Sequence, residues 1–424
     1  MRIVAKFRIP LSLLLGALVT RVTLASPPPT SVIHVPGDFP TIQEAIDAAP
    51  EGSEILVAPG SYKGPLNTNL NFNGKALELK SSGGPEVTII DGQADGHRGF
   101  IFQSGETASA IVDGFTITRG YYSIFRNNSS PTIRNCIFSR SFYLAVSCDN
   151  SSPIFSQCKF LDNPEAASAS ALECINNSFP TIDECLFARN DASGGLMGGG
   201  ISVRFSSLRV SNSVFRDNDA EGGGGIAAAY SSVFIDHCDF QGNVADNKGG
   251  AGIHLDHSTA TITNSRFFDN RVCFGGALNS WSSTVTVSNC SFAANGGCYQ
   301  VGGFGTSGTL TLENTIIAWG AGSALLCSGT VTLRCCDIFG NQGGDWTECL
   351  AGQLGIEGNF ARDPQFCDIA IGDLTLQGSS PCLPGNHPQG EDCGLIGAFD
   401  QGCGPTAVEL STWGAVKAAF SPLR

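Results

Sequence analysis

A short motif that returns at nearly constant intervals constrains this chain more than any other feature of its sequence. The motif is an apolar residue, any residue, a polar residue, a Cys or small residue, any residue, and then Phe or Ile. Successive copies lie between 21 and 28 residues apart, which is a spacing typical of stacked structural repeats. The Phe or Ile position is occupied in turn by Ile117, Phe138, Phe160, Phe187, Phe215, Phe240, Phe267, Phe292, Ile317 and Ile338.

One such period accommodates three short strands and three turns, which make one coil of a parallel β-helix. Leucine-rich repeats share the period, but their leucine spacing and helical segment are missing here, and a propeller blade needs about 40 residues. Strands stacked in parallel lie about 4.8 Å apart, so equivalent residues of successive coils touch. We therefore predict an all-β fold, a right-handed parallel β-helix of about nine or ten coils or more, with the Phe positions stacked as a ladder in its core.

A column of Asn residues follows the same period, three positions after the Phe. Asn tolerates the left-handed backbone conformation that a tight turn needs, and stacked Asn amides can hydrogen-bond along the column. A second, looser column lies one position before the Cys site. We interpret both columns as scaffold. The first column consists of Asn163, Asn190, Asn218, Asn243, Asn270 and Asn295, and Asn341 continues it later.

The first 25 residues have the pattern of a secretory signal peptide. Arg2, Lys6 and Arg8 precede an apolar run over 11–19, and Ala25 supplies the small residue before the expected cleavage. A membrane anchor is the alternative, but a spanning helix needs about 20 apolar residues. We expect an exported protein, located outside the cell, at the cell surface or in the periplasm, with no transmembrane segment in the mature chain.

The remainder divides into four segments. Residues 26–53 are expected to form an N-terminal cap, in which Thr41 and Glu44 make the capping-box pattern that opens a short helix. The β-helix follows over 54–341, a disulfide-rich C-terminal cap over 342–404, and a tail over 405–424.

The chain contains 17 cysteines, which in an exported protein indicates disulfides. We predict that Cys273 pairs with Cys298, because both lie five residues before the same strand position in neighbouring coils. We expect the cysteines of the core motif to remain reduced, since a buried thiol packs as a small apolar group.

The charge of the chain limits its partners. The net charge is −14, and loss of the four basic residues of the signal peptide would make it −18. Such a surface repels phosphate backbones, so we expect no nucleic acid partner. It would also repel an acidic polysaccharide unless a cation or a local basic patch intervened.

Two stretches resemble known β-helix families. The sequence from Asp38 to Pro50, with Ile55 to Tyr62 after it, resembles the opening of pectin-methylesterase and pectate-lyase-like β-helices. The Phe-x-x-Asn and Gly-Gly pattern of 267–278 is similar to the repeats of polymorphic outer-membrane proteins. The resemblance implies a pectate-lyase-like fold and suggests a carbohydrate ligand.

The catalytic motifs of related β-helix enzymes are absent from the sequence. The Gln-Asp-Thr and Asp-Phe-Ile-Phe-Gly segments of pectin methylesterases and the Gly-His-Gly and Arg-x-Lys segments of polygalacturonases do not occur. Phe234 to His237 is similar to a Trp-Ile-Asp-His segment of pectate lyases, but the repeat explains each of its residues. Whether the protein is an enzyme is therefore left open; if it is one, we expect a polysaccharide lyase or a glycoside hydrolase.

The candidate site lies on the strand that follows each glycine cluster. Side chains alternate there between core and solvent, which predicts two outward columns. Within them His254 and Asp256 are the candidate catalytic residues, because a carboxylate and a histidine could act as base and acid. The candidate ligand-binding residues lie on the same face. Arg204 would pair with a uronate, the rings of Tyr230 and Trp281 suit contact with a sugar, and Asn279 adds an amide.

No metal ligand or cofactor is assigned. Asp217, Asp219, Glu221 and Asp246 could bind Ca²⁺, which favours clustered carboxylates, and solvated acids are the alternative. The leading hypothesis is a secreted, monomeric β-helix protein that binds or cleaves an extracellular polysaccharide or cell-surface glycan. The alternative is a non-catalytic, adhesin-like or structural cell-surface solenoid.

Overall fold

The computed structural model describes residues 31–164, 171–192, 198–246, 249–272, 276–296, 301–306, 308–327 and 329–403. The predicted signal peptide, the C-terminal tail and the proposed Cys273–Cys298 disulfide lie outside these residues.

Three long parallel sheets run the length of the molecule, and the chain visits them in turn to make one coil. Sheet 1 has 13 strands, so the solenoid has more coils than the ten motifs alone account for. Its strands are Val32–Val35, Glu54–Val57, Glu78–Ser81, Ile111–Asp113, Thr132–Arg134, Ile154–Ser156, Thr181–Asp183, Ser207–Ser211, Ser232–Asp236, Thr259–Thr263, Thr284–Ser288, Thr309–Glu313 and Thr330–Arg334.

Sheet 2 has 12 strands and sheet 3 has ten. Sheet 2 consists of Gly60–Lys63, Thr88–Asp91, Thr116–Thr118, Ile137–Ser139, Lys159–Leu161, Leu186–Ala188, Val214–Arg216, Asp239–Gln241, Arg266–Phe268, Ser291–Ala293, Ile316–Ala318 and Asp337–Phe339. Sheet 3 consists of Phe100–Phe102, Tyr122–Asn127, Leu144–Asp149, Leu172–Ile175, Ile201–Arg204, Ile226–Ala229, Ile253–Asp256, Leu278–Trp281, Val301–Thr306 and Ser323–Cys327.

Two smaller sheets and three short helices complete the described structure. A four-stranded parallel sheet contains Asp191–Ala192, Asp219–Ala220, Val244–Ala245 and Arg271–Val272. A three-stranded sheet near the C-terminus contains Phe366–Asp368, Asp373–Gln377 and Gln401–Cys403. The helices are Ile42–Ala48 and the 3₁₀ turns Glu348–Leu350 and Ile369–Ile371. None of these helices is long and apolar enough to cross a membrane.

The predicted Phe ladder is confirmed. The ten aligned positions pair in register through sheet 2 and are buried. Phe240 lies near the middle of the ladder, with its ring centroid 4.8 Å from that of Phe215 and 4.8 Å from that of Phe267. The rings are nearly parallel, so each one covers its neighbours and adds apolar contact along the whole axis.

The predicted Asn ladder also forms, but its backbone differs from the expectation. Asn218 donates its Nδ2 to Oδ1 of Asn243 at 3.0 Å and to the carbonyl oxygen of Phe187 at 2.9 Å, and the same bonds recur from coil to coil. The left-handed conformation falls one residue earlier, for example at Asp217 with a φ of 55°. The Asn of the first column is therefore explained by the hydrogen bonds of its amide and not by the turn. In the second, looser column the Asn residues themselves have positive φ, as at Asn264.

The N-terminal helix begins as predicted. The backbone N–H of Glu44 donates to the hydroxyl of Thr41, and that hydroxyl donates to the Glu44 carboxylate at 2.6 Å. Its buried residues Ile42, Ala45 and Ile46 join the main apolar core. That this helix covers the end of the solenoid remains a prediction.

The C-terminal segment is held by two disulfides among the described residues, Cys335–Cys393 and Cys367–Cys403. Its apolar residues form a second core against the outer face of sheet 2, so the segment lies along the solenoid as well as beyond its last coil. This second core contains Phe366, Leu374, Leu376, Ile396 and Phe399 of the segment and Phe268, Ala293, Ile316 and Ala318 of sheet 2.

Replacing Phe240 by Ala should lower the free energy of unfolding by roughly 3–5 kcal/mol, because it leaves a cavity inside the ladder. Phe234, which is 40 % exposed on sheet 1, provides the control, and its replacement by Ala should change the free energy by less than about 1 kcal/mol. Chemical denaturation measures both. A loss below about 1 kcal/mol for the Phe240 variant would contradict the ladder as a source of stability.

A buried carboxyl joins the last coil to the C-terminal segment. Asp337 accepts the backbone N–H of Arg362 at 3.0 Å, and the thiol of Cys382 lies 3.3 Å from its other oxygen. Burial raises the pKa of Asp337 to about 7. Between about pH 4, where an unfolded Asp titrates, and about pH 7, the folded protein keeps this proton while the unfolded chain loses it.

The free energy of unfolding should therefore fall as the pH rises through that range, apart from the contribution of other groups. The Asp337→Asn variant cannot titrate at this position, so its pH dependence should lack the Asp337 contribution. Urea unfolding of both proteins at about pH 5 and about pH 7.5 measures the difference. Equal pH dependence in the two proteins would contradict the assignment.

Candidate functional site

Four neighbouring strands of sheet 3 carry the predicted site residues. They pair in parallel register, which aligns Arg204, Ala229, Asp256 and Trp281 in one column. The other column contains Ser202, Ala227, His254 and Asn279. The two columns are those expected from the sequence, but the second is not open to solvent throughout: Asn279 is only 4 % exposed. The amide at this position is therefore covered, and its role in ligand binding remains a prediction.

A cleft opens where both columns have alanine. Ala227 and Ala229 form its floor, and the longer side chains of the preceding and following coils form its walls. Its volume is about 260 Å³. The residues that line it are Ser202, Val203, Arg204, Glu221, Gly222, Ala227, Ala228, Ala229, Gly249, His254 and Asp256.

Arg204 forms one wall of the cleft together with an acid that precedes it by one coil. Its Nη2 lies 3.4 Å from a carboxylate oxygen of Glu173, while its Nε is buried and has no hydrogen-bond partner. Burial raises the pKa of Glu173, and the nearby Arg204 charge opposes that shift. The guanidinium is thus partly neutralised and retains one N–H that a ligand could engage.

His254 forms the opposite wall and is held neutral. Its Nδ1 is buried with no hydrogen-bond partner. Burial lowers the pKa of His254, and the charge of Asp256 opposes the shift only in part. The carboxylate of Asp256 bonds instead to Nδ1 of His257 at 2.7 Å. The structure thus brings His254 and Asp256 to one cleft but does not join them by a hydrogen bond, and their catalytic role remains a prediction.

A row of exposed aromatic side chains runs beside the cleft. The row consists of the residues that directly follow the last residue of three successive sheet 3 strands: Phe205, Tyr230 and His257. The ring centroid of Tyr230 lies 5.2 Å from that of Phe205 and 5.0 Å from that of His257, and the rings are stacked. Phe205 is 58 % exposed and Tyr230 52 %. A trough of about 660 Å³ borders the row and is lined by Asn177, Ser178, Phe179, Phe205, Ser206, Ser207, Tyr230, Ser231, Ser232, His257 and Thr259.

The backbone at this row favours smaller residues. Tyr230 has a φ of 52°, in the left-handed region, which bulky side chains rarely adopt. In earlier coils the corresponding position holds Asn128 and Asn150, which tolerate this conformation better. Aromatic residues at such a turn are therefore not explained by the stability of the turn itself.

Trp281 lies one coil beyond Asp256 and is 54 % exposed. In the part of the chain that the structure describes, no other ring stacks on its indole. More than half of its side chain is therefore open to solvent at the end of the first column.

Sequence reasoning missed Phe205, His257 and Glu173 as members of the site. Phe205 and His257 could have been found from their position, because each occupies the same turn phase as Tyr230. Glu173 pairs in register with Ser202, but the sequence before it lacks the glycine cluster that marks the strand in later coils.

The acids considered as calcium ligands do not form a metal site in the described structure, which contains no group of three or more His, Cys, Asp or Glu side chains placed to hold a metal ion. Oδ1 of Asp219 is buried without a partner, and burial, together with the charges of Asp246 and Asp191, raises the pKa of Asp219 to about 6. Glu221 lies instead at the cleft.

The family model described as "Right handed beta helix region" matches residues 67–233 and 199–361, and the chain therefore belongs to this family. No curated protein matches it by sequence.

Solved structures with similar backbones include pectate lyase Pel9A, with 12 % identity, 88 % of this chain and 97 % of that chain covered, and a TM-score of 0.47. The catalytic domain of a GH87 alpha-1,3-glucanase variant in complex with tetrasaccharides has 13 % identity, coverages of 76 % and 70 %, and a TM-score of 0.41. Pectin methylesterase from carrot has 14 % identity, coverages of 80 % and 89 %, and a TM-score of 0.30. At these values the similarities carry no information on the activity of this chain.

The protonation state of His254 can be measured directly. Because burial lowers its pKa, His254 should titrate below the ordinary histidine value of about 6.5. Proton NMR of the six histidines over a pH series reports each titration, and the His254→Gln variant identifies the signal that belongs to this residue. Titration of that signal at or above the ordinary value would contradict the burial of the imidazole.

Proposed function

We propose that the protein binds an extracellular polysaccharide or cell-surface glycan along the outer face of sheet 3. The observation that carries this proposal is the exposed row of Phe205, Tyr230 and His257, with the open indole of Trp281 beside it. Exposed apolar surface of this kind marks binding sites, and aromatic rings combined with polar groups suit the apolar faces and hydroxyls of sugars.

The shape of the surface favours a chain over a small metabolite. The row follows the solenoid axis across three coils, which lie about 4.8 Å apart. The trough beside it is bordered by hydroxyl and amide side chains, among them Ser207, Ser232 and Thr259, which can hydrogen-bond to sugar hydroxyls. A linear polymer can lie along such a trough and make equivalent contacts on each coil.

We favour binding over bond cleavage. Catalysis by a base and an acid needs both groups at one reacting bond, and here Asp256 is engaged by His257. A polysaccharide lyase or glycoside hydrolase remains the second candidate, because His254 is neutral and lines the cleft, as a general base would. In the adhesin-like alternative, the aromatic row would bind no glycan.

Export and a monomeric state are part of the proposal. The disulfides Cys335–Cys393 and Cys367–Cys403 support export, because such bonds persist in oxidising compartments. We also propose the division of the chain into a cleaved leader over 1–25, an N-terminal cap over 26–53, a solenoid over 54–341, a C-terminal cap over 342–404 and a tail over 405–424.

Removing the exposed rings should reduce glycan binding without reducing stability. Trp281→Ala and Tyr230→Asn should each weaken binding to the recognised glycan by roughly tenfold, since a stacked aromatic contact is worth about 1 kcal/mol or more. Asn suits the left-handed turn, so Tyr230→Asn should retain or raise the melting temperature. A glycan array followed by calorimetry on the strongest ligand measures binding.

Trp319→Ala is the matched control, because Trp319 is 39 % exposed and lies after a strand of sheet 2. This control should bind like the parent protein. If the Trp281 and Tyr230 variants also bind like the parent, the glycan site lies elsewhere. If the parent binds no glycan on the array, the adhesin-like alternative is the better description.

A further inference from the structure

The charges around the cleft do not cancel. Among its lining residues, Glu221 and Asp256 are carboxylates and Arg204 is a cation. Arg204 is already in an ion pair with Glu173. Glu221 forms no hydrogen bond or ion pair within the described structure. Among the described residues around the cleft, the carboxylates therefore outnumber the cations, in a chain whose net charge is itself −14.

The cleft also contains an unused hydrogen-bonding group. Nδ1 of His254 is buried there without a partner, and burial keeps the imidazole neutral. An unpaired buried nitrogen is costly in free energy, so a bound group that donates a hydrogen bond to it would be stabilised. In the tautomer that carries its proton on Nε2, this nitrogen accepts a hydrogen bond from a donor.

An aromatic face adjoins the same acids. Trp281 pairs in register with Asp256, so its indole begins about 4.8 Å further along the axis. The face of an indole ring attracts cations through its electron-rich π-system. Two carboxylates, a neutral nitrogen acceptor and an open indole together favour a ligand that is both cationic and a hydrogen-bond donor.

We infer that the cleft binds a protonated amino sugar, so that the glycan bound by sheet 3 carries primary amines. This inference rests on the proposed function and specifies its ligand class. The ammonium group would donate hydrogen bonds to the carboxylates of Glu221 and Asp256, and a hydroxyl of the same sugar would donate to Nδ1 of His254, while the sugar ring occupies the volume above Ala227 and Ala229.

Two other ligand classes fit less well. A uronate carboxylate would be repelled by the carboxylates of Glu221 and Asp256. It would also have to compete with Glu173, which already forms an ion pair with the guanidinium of Arg204. A divalent metal fits less well, because the potential ligands Glu221, His254 and Asp256 line the cleft but do not form a group placed to hold a metal ion among the described residues. An ammonium ion needs only hydrogen-bond acceptors and a compensating charge.

Calorimetry with three tetrasaccharide probes tests the inference on the full-length exported protein. The probes are β-1,4-linked glucosamine, its fully N-acetylated counterpart and tetragalacturonate. We expect the amine to bind roughly tenfold more tightly than the acetylated probe at low ionic strength, and the preference should decrease with added salt. Tetragalacturonate should bind least.

Asp256→Asn and Glu221→Gln remove one charge each and preserve side-chain size. Either change should reduce the preference for the amine by roughly threefold or more, in line with the value of a partly exposed charge pair. Glu86→Gln changes the net charge equally and is the matched control, because Glu86 is 75 % exposed and lies beside Lys159 of sheet 2. This control should retain the full preference.

The outcomes separate the two proposals. If the glycans bind in a manner that depends on Trp281 but the amine is not preferred, the amino-sugar inference is wrong and the glycan-binding proposal stands. If the amine is preferred but Glu221→Gln and Asp256→Asn retain that preference, the cleft is not the amine site and the inference is again overturned. If none of the three probes binds, the amino-sugar inference is wrong, and the glycan array then decides whether the glycan-binding proposal stands.

Discussion

Stacking of identical side chains at the spacing of parallel strands is the interaction on which the rest of the structure depends. From Phe138 to Phe267 each ring of the ladder stacks on the ring of the next coil. From Asn163 to Asn270 each amide of the column bonds both to the next amide and to a backbone carbonyl of an earlier coil. The ladders fix the register of sheet 2 and, through the turns, that of the other sheets. Because register is fixed in this way, residues about 25 positions apart become neighbours on the surface, and a short segment of sequence can build a site over several coils.

The same regularity makes exceptions informative. Alanine at 227 and 229 interrupts two columns of longer side chains and opens the cleft, while aromatic residues replace Asn at the turn of three successive coils. Neither change improves packing, since one removes contacts and the other places bulky residues at a left-handed backbone position. Both lie on one side of sheet 3, which is why we locate the binding surface there.

The ladders, the order of the strands and the two columns of sheet 3 could be predicted, because a stacked fold converts sequence period directly into contacts. The C-terminal segment could not: its apolar residues have no period that indicates sheet 2 as their partner, and the pairing of Cys335 with Cys393 spans 58 residues. The two columns of the candidate site were predicted, but the aromatic row at Phe205 and His257, the acid Glu173 and the interactions between the side chains were not. Sequence spacing placed His254 beside Asp256, whereas the preference of Asp256 for His257 and the burial of Asn279 depend on side-chain directions and on covering loops.

Hydrogen exchange measured with and without a bound glycan tests the central claim most directly, because it reports where on the solenoid the ligand lies without altering any residue. The account predicts increased protection of the backbone amides at the turns around Phe205, Tyr230 and His257 and little change in the strands of sheet 2. Protection confined to the outer face of sheet 2 or to the C-terminal segment, with the aromatic row unchanged, would contradict it.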